Sequence, residues 1–125
     1  MAVATLLPGC VHQAHVVVLP VQGGRMHVPR EPLAQLRGPA DVLFLRAAGA
    51  PGPIALRRQG SQYIALLALC THRGCEVQAL PQSYDCPCHG SRYDLAGEVL
   101  DGPAERPLPS FRVVPDGEGV AIVLE

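Results

Sequence analysis

Glycine and proline interrupt this chain so often that a long helix has no room to form. The 125 residues include thirteen glycines and thirteen prolines. Proline removes a backbone donor and clashes with the preceding helical turn, and an interior glycine costs a helix roughly 1 kcal/mol relative to alanine. Between these breaks lie short runs of Val, Ile and Leu bounded by turn residues. That pattern belongs to an all-β, turn-rich fold. The length and a hydrophobic content of 48% support a single domain over residues 1–125 with a modest core. Three tyrosines, two phenylalanines and no tryptophan leave that core to aliphatic side chains.

Charge narrows the function classes. The net charge is −1, the charged fraction is 17%, and the ten basic residues are scattered arginines. A nucleic-acid-binding chain needs a basic face to displace counterions from phosphates, and none is present. No apolar run approaches the roughly 20 residues of a membrane-spanning helix, so no membrane span is expected in this chain. The start, MAVATLLPGC, ends in the small-residue-then-cysteine shape of a lipoprotein cleavage box. It lacks a basic beginning and is short for a signal peptide. Residues 1–14 are therefore expected to form an N-terminal tail, with Cys10 unpaired.

Several strands can be placed. His15 to Val21 reads as a first strand, with Pro20 marking an edge or bulge, and Met26 to Val28 as a short one. Pro32 to Gly38 has space for one helical turn at most. Asp41 to Ala47, Pro53 to Arg58 and Gln62 to Leu69 are separated by turn residues and predict an antiparallel meander. Glu76 to Leu80 is short and strand-like. Arg92 to Asp94 and Glu98 to Leu100 form a small hairpin, and Phe111 to Val114 with Gly119 to Leu124 a final one.

The chemistry lies in two six-residue motifs, Cys70-Thr71-His72-Arg73-Gly74-Cys75 and Cys86-Pro87-Cys88-His89-Gly90-Ser91. They hold four of the five cysteines and two of the five histidines. Cys and His converging from two loops make a metal site with mixed sulfur and nitrogen donors. Two of each are compatible with zinc, or with a 2Fe–2S centre in which two His replace two Cys on one iron. The Cys70–His72 spacing is shorter than the usual spacing of a zinc cysteine pair. The remaining Cys75 and Cys88 lie one in each motif, a few residues from its other Cys and His, a placement that suits a disulfide between the loops. Gly74, Pro87 and Gly90 permit tight turns that aim backbone N–H groups inward.

These residues, with Tyr93 two positions beyond Ser91, resemble the Rieske iron–sulfur family. They are most similar to its high-potential branch, the Rieske subunits of cytochrome bc and bf complexes. The resemblance is good over residues 41–125 and weak over 1–40. It implies a Rieske-like fold of antiparallel sheets, with a small cluster-binding subdomain at approximately residues 70–95 inserted between base-domain strands. It implies a 2Fe–2S cluster with Cys70 and Cys86 on one iron and His72 and His89 on the other. Under the same resemblance Cys75 and Cys88 form the disulfide. Ser91 and Tyr93 stand where the family places hydroxyl donors to a bridging sulfide and to a ligand sulfur. Gly102, Pro103 and Ala104, with the prolines at 107 and 109, resemble the loop that covers the cluster.

The implied function is one-electron transfer, as a carrier or small subunit of a larger oxidoreductase, rather than stand-alone turnover; no catalytic residue set is present. The implied partners are redox proteins, a cytochrome or a larger oxidoreductase subunit, and a quinol-oxidising complex is the alternative home. Arg73 stands where members of quinol-oxidising complexes carry an apolar residue, often leucine. A Rieske-type ferredoxin of an oxygenase system, which lacks the disulfide cysteines, and a zinc-binding module are the remaining readings. A structural disulfide belongs to an oxidising compartment, so the expected location is extracytoplasmic.

Overall fold

The computed structural model describes residues 14–124. Cys10, His12 and nearly all of the expected tail lie outside the described residues; Ala14 already opens a strand. β1 (Ala14–Val18), β2 (Val21–Gln22) and β3 (Arg25–Val28) lead into the single turn of α1 (Arg30–Leu33). The expected strand from His15 to Val21 breaks at Pro20, which cannot donate to a ladder. The helix begins two residues before the expected turn, directly after Pro29, and Pro32 falls in its first turn, where a missing N–H costs nothing.

β4 (Val42–Arg46), β5 (Ile54–Gln59) and β6 (Gln62–Leu67) form the expected antiparallel meander. β11 (Ser110–Asp116) and β12 (Gly119–Val123) form the last hairpin. Together with β1 to β3 they make an eight-stranded sheet in the order β1-β4-β5-β6-β11-β12-β3-β2. The pairing of β1 with β4 is parallel, which requires the crossover through β2, β3 and α1. β11 joins the two halves: Ser110 and Phe111 pair with β6, and the residues from Arg112 onward pair with β12. The sheet thereby curls over its own core of Met26, Val28, Leu43, Leu45, Ile54, Leu56 and Ile122.

The meander is buried on both faces. Side chains alternate across a strand, so Leu43, Leu45, Ile54 and Leu56 fill the first core while Val42, Ala55, Leu66 and Ala68 face a second. Across that second core lies a four-stranded antiparallel sheet, in the order β10-β9-β8-β7, made of β7 (Gln78–Ala79), β8 (Tyr84–Asp85), β9 (Arg92–Tyr93) and β10 (Val99–Asp101). It contributes Tyr84 and Tyr93, both fully buried. The two Cys/His motifs are the loops at one end of this small sheet, one before β7 and the other between β8 and β9. No helix among the described residues is long and apolar enough to cross a membrane.

Candidate metal centre

The two motif loops are built alike. In the first, Cys70 N–H donates to Cys75 O and Gly74 N–H donates to Cys70 O, each at 2.7 Å. In the second, Cys86 N–H donates to Ser91 O at 2.7 Å and Gly90 N–H donates to Cys86 O at 3.0 Å. Each loop therefore closes over six residues with the same pair of bonds. Its fifth residue must take a positive φ, 81° at Gly74 and 84° at Gly90, which glycine adopts without steric cost. The shared geometry explains why the motifs carry glycine at the same place.

Closing the loops segregates the donors. Cys70 and Cys86 are buried free thiols. His72 and His89 are exposed at the loop tips, their rings edge-to-face with centroids 5.0 Å apart. Cys75 and Cys88 form the disulfide that ties one loop to the other. The Cys86 sulfur lies within 4.8 Å of both disulfide sulfurs. With those two bonded to each other, Cys86 is the one of the three that retains a thiol for a metal.

The Cys70 thiol is drawn toward its thiolate form by its neighbours. Burial pushes its pKa up, but hydrogen bonds from the Tyr93 hydroxyl, the His72 backbone, the Cys86 thiol and the Arg73 backbone outweigh it and bring the thiol down to about 7. The Tyr93 hydroxyl donates to Cys70 Sγ at 3.3 Å and accepts Thr71 N–H at 3.1 Å. Its own pKa is raised, first by burial and then by the bond it donates to Cys70.

The proline loop is fastened to both motifs. Ser91 Oγ, fully buried, accepts Ala104 N–H at 3.0 Å. Thr71 Oγ1 donates to Arg106 O at 2.7 Å. Gly102 and Pro103 are exposed, whereas Ala104 is buried against the second core. Beside His72, an open cleft of about 430 Å³ is lined by Thr71, Pro103, Glu105 and Arg106. The sequence reading missed Thr71 and Arg106. A threonine inside a ligand motif and an arginine in a proline-rich loop carry no pattern that announces a contact across 35 residues.

A Rieske 2Fe-2S domain matches residues 33–112, well over half of the chain. The chain belongs to this family. Among similar Rieske proteins, the cytochrome b6-f complex iron-sulfur subunit 2 of Nostoc sp. (strain PCC 7120) is 42% identical over 84 residues, covering 65% of this chain and 47% of that protein. The chain thus spans about half the length of that curated relative. Among solved structures, the cyanobacterial plasma membrane Rieske protein PetC3 from Synechocystis PCC 6803 is similar with a TM-score of 0.52 and 25% identity, covering 79% of this chain and 85% of that one. A chain from the complex of reduced oxygenase and oxidized ferredoxin in carbazole 1,9a-dioxygenase shares the fold, with a TM-score of 0.65 and 23% identity, covering 83% of this chain and 96% of that one.

The Rieske cofactor, a 2Fe–2S cluster, fits the donor set. Two buried thiols are hydrogen-bonded to each other, one of them drawn toward thiolate, and two imidazoles meet at the surface. The disulfide between the two loops places the chain with the high-potential Rieske branch.

Proposed function

We propose that this chain transfers single electrons through a cluster whose one iron is held by Cys70 and Cys86 and the other by His72 and His89. The observation that carries this reading is the sorting of donors by depth. The thiols are buried beside hydroxyl and amide donors, and the imidazoles form the exposed edge. Bound here, the cluster supplies a one-electron redox couple. The chain's residues set its potential. Neutral imidazoles in place of two thiolates lessen the negative charge that an added electron meets. The Tyr93 and Ser91 hydroxyls favour the more negative reduced state. The disulfide and the loop at Gly102, Pro103 and Ala104 hold the two motifs and limit solvent.

The cluster-binding unit is assigned to approximately residues 70–95 of a single domain, and the continuation of its sheet to Asp101 supports carrying that boundary slightly further. The tip, with exposed His72, His89 and Arg73, is the face for a redox partner, a cytochrome or a larger oxidoreductase subunit. Kinship with a cytochrome b6-f subunit supports service in a quinol-oxidising complex. The exposed charge of Arg73 favours an acidic protein surface over an apolar quinol pocket. This supports a carrier or small oxidoreductase subunit as the principal reading. The disulfide supports an extracytoplasmic location.

Iron and acid-labile sulfide analysis, EPR of the reduced protein and a redox titration test the proposal together. Two irons and two sulfides per chain, a rhombic reduced signal and a midpoint in the upper part of the Rieske range of about −150 to +300 mV are expected. A colourless, zinc-loaded protein overturns the cluster assignment. A midpoint well below zero overturns the high-potential one.

A further inference from the structure

Among the described residues, Arg57 is a buried cation without an anionic partner. It lies on β5 with 2% of its surface exposed. Among the described residues its partners are all neutral. Nε donates to Tyr84 Oη at 2.8 Å, Nη2 donates to Leu80 O at 2.7 Å, and Nη1 donates to Pro39 O and Ala40 O at 3.1 and 3.3 Å. The guanidinium carbon stands 4.7 Å from the centre of the Tyr84 ring. A charge taken out of water is costly unless fully bonded, and an arginine cannot escape by losing its proton. An apolar residue at this point of the second core would avoid that cost, as its strand neighbour Ala55 does.

The acceptors show what the arginine accomplishes. Leu80 and Tyr84 belong to the small sheet and its turn, while Pro39 and Ala40 precede β4 of the large one. The planar fork therefore pins the small sheet to the large one. Tyr84 lies directly opposite Tyr93 on the neighbouring strand, and opposed side chains in an antiparallel pair share a face. Tyr93 in turn donates to the Cys70 sulfur. A continuous run of buried groups joins Arg57 to a sulfur at the metal centre.

We infer that Arg57 is a positioning residue for the cluster: by holding Tyr84 through its hydroxyl, it fixes the Tyr93 ring and the O–H···S bond to Cys70, and thereby raises the reduction potential. The inference rests on the tuning role of Tyr93, which Tyr93→Phe tests separately.

The test compares midpoint potentials in the cluster-loaded protein, with visible circular dichroism and iron content confirming an intact cluster. Arg57→Lys keeps the charge but loses the fork. Tyr84→Phe keeps the ring but removes the acceptor of Nε. Both are expected to shift the midpoint downward, and neither is expected to shift it further in a Tyr93→Phe background. If Arg57→Lys does not assemble a cluster, Tyr84→Phe alone and with Tyr93→Phe carries the comparison. An unchanged midpoint in Tyr84→Phe overturns the inference, as does a shift of equal size with and without the Tyr93 hydroxyl. A normal midpoint in Arg57→Lys also overturns it, by showing that charge alone is what matters. If Tyr93→Phe itself leaves the midpoint unmoved, it is the tuning role of Tyr93 that fails.

Discussion

The Tyr93 hydroxyl points at the Cys70 sulfur from 3.3 Å, donating to it while accepting the amide of the next residue, Thr71. One side chain on β9 thus holds both the sulfur and the backbone of the first motif. Removing the hydroxyl as Tyr93→Phe is expected to lower the midpoint potential and leave the cluster assembled. Redox titration followed by circular dichroism checks this, and a midpoint equal to that of the parent protein would count against a tuning role.

The same bond predicts a pH dependence. Hydrogen bonds lower the Cys70 thiol from an ordinary 9.0 to about 7 in the folded chain, despite burial. A group depressed on folding stabilises the fold above its unfolded pKa, and that contribution is lost as pH falls through the folded value. The cluster-free chain is therefore expected to gain stability as pH rises across the window from about 7 to 9.0. Urea unfolding at several pH values measures it. Tyr93→Phe should raise the thiol pKa and narrow the window.

Ser91→Ala removes a buried acceptor from Ala104 N–H. Leaving that amide unpaired costs about 1–3 kcal/mol. The variant is expected to unfold at lower denaturant concentration and, having lost a donor near the cluster, to show a lower midpoint. A loss of stability without any change in midpoint would confine Ser91 to holding the proline loop.

The Cys75–Cys88 bond joins residues 13 positions apart, one in each motif. A loop near this size contributes about 3 kcal/mol through restriction of the unfolded chain. Replacing both cysteines with alanine is expected to lower stability by roughly that amount. Cluster loss on heating should also quicken, because His72 and His89 would no longer be held by linked loops. Thermal bleaching of the visible absorbance reports it.

Arg46 grips Glu76 with two hydrogen bonds, at 2.7 and 3.1 Å, just outside the disulfide. Both side chains are about half exposed. Water and salt screen such a pair, so Glu76→Gln is expected to cost at most about 1 kcal/mol. Chemical denaturation in low and high salt checks the size and its screening.

Much of this protein was legible along the chain. Turn residues at 49–52 and 59–61 delimited the meander, and its pairing followed because short turns join antiparallel neighbours. The spacing of Cys70, His72, Cys86 and His89, with Gly74 and Gly90 in step, pointed to two matched metal-binding loops. Other features left no local trace. β1 pairs in parallel with a strand beyond β2, β3 and α1, and period-two alternation says nothing about which distant strand is adjacent. Nothing along the chain sets Arg57 apart, because a pattern does not reveal that both faces of β5 are covered.

The sequence by itself determined the donor chemistry, the loop-closing glycines and the all-β class, because each follows from side-chain type or from backbone freedom at a single position. Only the tertiary structure decided the depth of each donor, the reach of Tyr93 to Cys70, the hold of Thr71 and Ser91 on the proline loop, and the enclosure of Arg57. Those depend on packing two sheets across a shared core, which brings together residues separated by tens of positions in the chain.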